Sequence, residues 1–193
     1  MSRILIVYAS HFGQTRKIAY HLADRLRAGH HEIDVANVTD GARALPPPED
    51  YDVVVMGSRI ELGRHASDLV AWMRSHLDAL RTMPTAVFSV SCAAARPGAG
   101  PDPNGYLETL FEDVAWHPTC AVALAGALPY RKYGLILRLV MKQIARSAGH
   151  TTDTSRDHEL TSWPAVDRFA EAVARLGLAL DLRADAAPTA SYV

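Results

Sequence analysis

The chain has 193 residues, 49% of them hydrophobic, and a formal net charge of -1, which suits one globular domain and argues against a generally basic, nucleic-acid-binding surface. Cys92 and Cys120 are too few and too far apart for a disulfide framework or a thiolate zinc site, and the nine histidines fall at no metal-ligand spacing. No run reaches the ~18 apolar residues of a membrane span, and an apolar strand expected from residue 3 leaves no room for a signal peptide, so a cytoplasmic protein is expected.

The run Arg3 to Ala9 (RILIVYA) is short, apolar and rich in β-branched residues, and predicts a buried parallel strand. Ser10-His11-Phe12-Gly13-Gln14-Thr15 follows as a hydroxyl-and-glycine loop. After it, Ile18, Leu22 and Leu26 recur at i, i+4 spacing with Ala19 and Ala23 beside them, which is an amphipathic helix. A helix N-terminus in that position offers free N–H groups and a dipole to an anion. The loop has neither Gly-x-Gly-x-x-Gly nor Gly-Lys-Ser/Thr. Ser10 serving only as a helix cap is the plainer alternative.

His31 to Val38 alternates as a second strand, Pro46-Pro47-Pro48 is a stiff connector, and Tyr51 to Gly57 (YDVVVMG) reads as a third, buried strand. Asp50 and Asp52 before it look like turn residues and not an acid pair. Leu69, Trp72, Met73, Leu77 and Leu80 predict one helix over 67–80. Thr85 to Ser91 is a fourth strand, followed by a Pro/Gly-rich loop from Ala95 to Pro103, a helix over Tyr106 to Val114, and a fifth strand over Cys120 to Gly126. A last helix is expected over Pro164 to Leu176, with Val166, Phe169, Ala170, Val173 and Leu176 facing inward. Residues 1–180 thus form a single domain, with an insertion at 127–160 and an expected disordered tail at 181–193.

Strands alternating with helices imply an α/β fold, a doubly wound parallel sheet covered on both faces. Ligands in such sheets sit beyond the carboxyl ends of the strands, where strand order reverses. That gathers the loops 10–15, 58–65 and 91–97.

The insertion is basic. No Asp or Glu occurs from Val114 to Thr152, while Arg131, Lys132, Arg138, Lys142 and Arg146 do. A helix over Tyr133 to Ser147 would align Arg138, Lys142 and Arg146 on one ridge opposite Ile136, Leu137, Val140, Met141 and Ile144. Such a helix can rest on an anionic membrane surface, or it can pack its apolar face on the domain.

A Ser/Thr-x-x-Gly-x-Thr loop directly after the first strand resembles the phosphate loop of flavodoxin-like proteins, which holds the phosphate of FMN. Gly13 to Ala19, Asp34 to Val38, Tyr51 to Ser58, Met83-Pro84, Phe88 to Val90 and above all Ala125-Gly126-Ala127-Leu128-Pro129-Tyr130 resemble one branch of that group. So do Leu139 to Lys142, Thr152 to Thr154 and Thr161 to Trp163. The branch is that of the menaquinone-dependent protoporphyrinogen IX dehydrogenases. The resemblance implies a flavodoxin-like five-stranded parallel sheet with a helical insertion before the last helix. It also implies FMN as cofactor, protoporphyrinogen IX as substrate and a membrane quinone as acceptor, with peripheral attachment to the cytoplasmic face of the inner membrane.

Its implied FMN contacts are Ser10, His11, Phe12, Gly13, Gln14 and Thr15, then Ser58, Arg59 and Ile60, then Ser91, Cys92 and Ala93. The latter two loops carry no Trp or Tyr to flank a flavin ring. Tyr130 or Tyr133 of the insertion is then expected to cover it, or one face stays open to a bulky substrate. Arg59, Arg96 and Arg131 are candidates to pair with substrate propionates, although the resemblance itself assigns them no such role. The alternative function is a flavodoxin-type electron carrier serving a protein partner, against which the near-neutral charge counts. A flavin-free anion-binding module is a third reading.

Overall fold

The computed structural model describes residues 1–40, 45–95, 102–128 and 157–185. Strand β1 is Arg3–Ala9, helix α1 Gln14–Ala28 and β2 Glu32–Asn37; a single 3-10 turn at Pro48–Asp50 precedes β3, Val53–Glu61. Then come β4 (Arg64–His65), α2 (Ser67–Ser75), α3 (Leu77–Leu80) and β5 (Thr85–Ser91), followed by a 3-10 turn at Ala93–Ala95. Helix α4 is Pro103–Val114, β6 Cys120–Ala125, β7 Ala127–Leu128, β8 His158–Glu159 and α5 Trp163–Asp185.

The strand order is β2-β1-β3-β5-β6, all parallel, as a doubly wound sheet requires. Side-chain alternation divides the core in two. Ile4, Ile6, Tyr8, Val53, Val55 and Phe88 pack under α1 and α5, with Ile18, Leu22, Phe169 and Val173. Leu5, Val7, Ala9, Val54, Met56 and Val87 pack under α2 and α4, with Leu69, Met73, Leu110 and Phe111. Near-continuous apolar runs in the strands are the consequence of having no solvent-facing side.

Several elements differ from the sequence reading, each for a local reason. The third strand begins at Val53, because Tyr51 leaves the strand and donates its hydroxyl to Asp34 Oδ2 at 2.7 Å. It then runs to Glu61, four residues past the expected end, and turns back through Leu62 and Gly63 into β4. Both turn residues have positive φ, 50° and 78°, the mirror-image turn that matches strand twist. The helix expected over 67–80 breaks at His76, whose φ of -117° and ψ of 19° leave the helical region. Ser75 Oγ donates to the Trp72 carbonyl at 2.8 Å and the His76 ring stacks on Trp72, ending α2 from the side. Helix α4 starts three residues early, since Asp102 accepts the Asn104 N–H at 3.0 Å as a cap with Pro103 next to it.

Helix α5 runs on from the expected end at Leu176 to Asp185, into the stretch set aside as tail; residues 186–193 lie outside the described residues. The ends of the expected insertion pair with each other: Ala127 is opposite Glu159 and Leu128 opposite His158 in an antiparallel ribbon. The expected helix over 133–147 lies outside the described residues.

One glycine is dictated by packing. Gly57 stands opposite Phe88 across β3 and β5, and a Cβ there would come within 2.0 to 2.6 Å of the Phe88 ring. Phe88 is fully buried and cannot yield. Gly57→Ala should therefore destabilise the fold by about 1–3 kcal/mol through overpacking, read as a lowered midpoint in urea unfolding. An unchanged midpoint would mean that the ring has room to move.

Candidate functional site

The loop after β1 delivers the chain to α1 through Gly13, whose φ of 101° and ψ of -11° make it the helix cap in a left-handed conformation. The Ser10 hydroxyl accepts the Arg16 N–H at 3.3 Å, and the Lys17 N–H reaches the Gly13 carbonyl at 3.0 Å. Ser10 does act as a cap, then, but for the third residue of the helix alone. Among the described residues no acceptor meets the N–H groups of Gly13, Gln14 and Thr15. No acidic side chain occupies the first turn. Free amides at a positive dipole end, reached past a residue without a side chain, favour an anion.

Around that turn, an open hollow of about 260 Å³ is lined by Gly13, Arg16, Lys17 and Tyr20. Thr15 is buried, His11 is exposed, and the His11 ring meets Phe12 edge-on at 4.5 Å. The Gln14 side chain points elsewhere. Its Nε2 donates to Thr161 Oγ1 at 2.8 Å and to Glu159 Oε1 at 3.3 Å, while Lys17 Nζ meets Glu159 Oε2 at 2.7 Å. Thr161 in turn donates to the Ala125 carbonyl at 2.8 Å. Burial works to raise the Glu159 pKa, but the Lys17 and Gln14 hydrogen bonds outweigh it and hold the carboxyl below its ordinary value. This tie between the first turn of α1 and the return leg of the insertion escaped sequence reasoning. Its trace there is that Gln14, Lys17 and Thr161 each fall within a segment of the resemblance, with nothing to say that they meet.

The second and third loops converge beside the first, because Ala9 is in register with Ser58 and Arg59 with Val90. Ser58 is buried and its hydroxyl is spent inside the fold, accepting the Ala66 N–H at 3.0 Å and donating to the Arg59 carbonyl at 2.9 Å. Ser91 Oγ likewise accepts the Ala94 N–H at 3.2 Å, closing the turn that contains Ala93. Burial pushes the Cys92 thiol up to about 11, so it stays protonated at neutral pH. Ile60 pairs with His65 across the β3–β4 hairpin. Arg59 is three-quarters buried; its Nε donates to Glu61 Oε2 at 2.9 Å, while its Nη1 is buried without an acceptor. Arg96, Arg131, Arg138, Lys142, Arg146, Tyr130 and Tyr133 lie outside the described residues. Among the described residues, no group of His, Cys, Asp and Glu could hold a metal.

The flavodoxin-domain profile matches residues 5–155. The protoporphyrinogen IX dehydrogenase (quinone) of Escherichia coli K12 is 34% identical over 175 residues, covering 90% of this chain and 96% of that protein. The enzyme of the same name from Leishmania major is 30% identical over 186 residues, covering 94% of this chain and 78% of its own. Among solved structures, a short-chain flavodoxin associated with a bacterial microcompartment superposes with a TM-score of 0.51 at 13% identity, covering 91% of this chain and 98% of that one. Rubredoxin oxygen:oxidoreductase from Desulfovibrio gigas does so with the same TM-score and identity over 92% of this chain and 36% of its own. At such identity these two likenesses concern the fold alone.

His65 gives the site a pH signature. Its Nε2 lies 3.1 Å from the Tyr106 carbonyl, tying the hairpin to α4. Desolvation by burial lowers its pKa from 6.5 to about 4, against the opposing pull of that carbonyl. Between those values the unfolded chain binds a proton that the folded chain does not, so stability falls as pH drops from 6.5 to 4. The full difference is about 3 kcal/mol by the 1.36 kcal/mol-per-unit conversion. Unfolding free energies across that window should slope less in His65→Gln than in the wild type; equal slopes would assign the acid sensitivity to other groups.

Proposed function

This chain belongs to the flavodoxin-domain family, in its protoporphyrinogen IX dehydrogenase branch, and we propose that it oxidises protoporphyrinogen IX to protoporphyrin IX with bound FMN and hands the electrons to a quinone. The observation that carries this reading is the 34% identity to the Escherichia coli enzyme across almost the whole of both chains. The residues present fit the cofactor: free amides at the start of α1 suit a phosphate, and Gly13 keeps the approach open. When bound, FMN supplies the two-electron hydrogen-accepting chemistry that no side chain has.

The chain's own part is binding and electrostatics. The amides of Gly13, Gln14 and Thr15, with the hydroxyls of Ser10 and Thr15 and the flanking His11 and Phe12, hold the phosphate. The ends of β3 and β5, at Ser58 to Ile60 and Ser91 to Ala93, border the flavin. Apart from Arg59 and Ile60 their side chains are small, and none is a Trp or Tyr to flank the ring, which leaves a face of it to a bulky tetrapyrrole. Arg59, Arg96 and Arg131 supply positive charge for its propionates. Arg138, Lys142 and Arg146 bring the protein to an anionic membrane surface on the cytoplasmic side, where a lipid-soluble quinone is found. No helix among the described residues is long and apolar enough to cross a membrane.

The test is anaerobic. Protein loaded with FMN should turn non-fluorescent porphyrinogen into fluorescent porphyrin only when a menaquinone analogue is supplied. Gly13→Val, which forces a β-branched residue into a left-handed conformation, should weaken FMN binding at least tenfold, by roughly 1.4 kcal/mol. Porphyrin formation that ignores the quinone, or a Gly13→Val protein that binds FMN normally, would sink the respective half of the reading.

Membrane attachment has its own check. Each basic residue near an anionic surface is worth about 1 kcal/mol, and salt screens the attraction. The protein should co-sediment with anionic but not neutral vesicles, be released by ~1 M salt, and bind less after charge reversal at Arg138, Lys142 and Arg146. Equal binding to both vesicle types contradicts the proposal.

A further inference from the structure

Among the described residues, Arg59 is a cation at the reversal of strand order whose burial is out of proportion to its bonding. It stands one residue past the Ala9–Ser58 pair, level with Ser10, where the phosphate loop begins. Strand alternation from Val53 and Val55 puts its side chain on the α1 side of the sheet, the side on which the α1 N-terminus opens. It belongs to β3 itself, so its backbone is fixed by the ladder to Val90. Three-quarters of the side chain is buried, Nε is engaged by Glu61 at 2.9 Å, and Nη1 is buried with no acceptor among the described residues. A buried donor on a charged group without a partner is costly. At the rim of a ligand crevice, an acceptor on the ligand would complete such a group.

We propose that Arg59 is the cation that balances the negative charge gained by the flavin on two-electron reduction, and that Glu61 sets how much of that charge Arg59 delivers. The inference rests on the FMN-dependent reading above. In each round the substrate gives a hydride, with its electron pair, to the flavin and a proton to water. Quinone then takes that hydride and a proton. One unit of negative charge therefore resides on the cofactor between the two half-reactions, and a guanidinium with an open donor stabilises that state over the oxidised one. The phosphate needs no such partner, because its charge is the same in both states and the α1 amides already face it. Glu61, half-exposed beside Arg59, partly neutralises the guanidinium and so acts in the opposite sense.

The experiment measures the affinity for oxidised FMN by fluorescence quenching and the two-electron midpoint potential of the bound cofactor by spectroelectrochemistry. Arg59→Gln should weaken the reduced form about tenfold relative to the oxidised, a fall of about 30 mV in the midpoint. Arg59→Lys, which keeps the charge, should recover most of that fall. Glu61→Gln should strengthen the reduced form about threefold, a rise of about 15 mV, and it keeps the proposal testable should Arg59→Gln fold poorly. Equal weakening of both redox states in Arg59→Gln would make Arg59 a phosphate ligand and overturn the inference. An unmoved potential with a raised KM for porphyrinogen would make it a substrate contact alone and overturn the inference too, as would a fall in Glu61→Gln. Wild-type protein that takes up no FMN overturns the functional reading itself, and this inference with it; wild type that binds FMN with flat potentials across the variants overturns this inference alone.

Discussion

The register of β1 on β3 is the constraint from which the rest of the site follows. Ala9 lies opposite Ser58, and the two strands are buried from Ile4 and from Val53 up to that pair. At that level the chain leaves β1 for α1 on one face of the sheet, while β3 turns back toward α2 on the other. Between the departing connections lies the crevice in which such sheets take their ligands. A slip of one residue would send every side chain of β3 to the opposite face. Arg59 would then sit over the α2–α4 layer, and Ser58 would lose the Ala66 amide that it holds at 3.0 Å. The closeness of Gly57 and Phe88 makes the register costly to change, since no neighbour of Gly57 in β3 is small enough to lie beneath that ring.

Hydroxyls around the crevice are mostly spoken for. Ser10, Ser58 and Ser91 each accept a backbone N–H from their own connection, so they shape the loops before any ligand arrives. Among the described residues around the crevice, the amides at the start of α1 and Nη1 of Arg59 remain as donors. Both favour an anion; the first turn of α1 has no acid of its own, while Glu159 beside Gln14 and Lys17 and Glu61 beside Arg59 temper the positive field. A site made this way binds through groups held rigid by strand and helix, so little ordering accompanies ligand entry.

Local pattern carried the sequence reading far. The apolar runs of β1 and β5, the i, i+4 spacing of Ile18, Leu22 and Leu26, and the loop at Gly13 are each visible in a few neighbouring residues, and the parallel sheet follows from their alternation. What stayed hidden depends on distant partners. The overrun of β3 to Glu61 follows a glycine and a serine that look like a strand end, and it exists because a left-handed Leu62-Gly63 turn lets Arg64 and His65 pair back. The Gln14–Glu159 contact spans 145 positions, and no window along the chain contains both. His65 reads as a loop histidine because burial between hairpin and α4 is a tertiary fact.

The ends of the insertion bear on its role. It leaves from the carboxyl end of β6 and returns through β8, whose Glu159 is gripped by Lys17 and Gln14 on the first turn of α1. Both feet therefore stand at the mouth of the site, whatever path the residues between them take. The antiparallel ribbon brings those feet together, and closing a longer segment beyond it adds only about 0.6 kcal/mol per doubling of length. A long insertion rooted here is thus cheap for the fold and placed for the chemistry. The residues between those feet carry more Lys and Arg than Asp and Glu, a charge opposite in sign to the propionates of a tetrapyrrole.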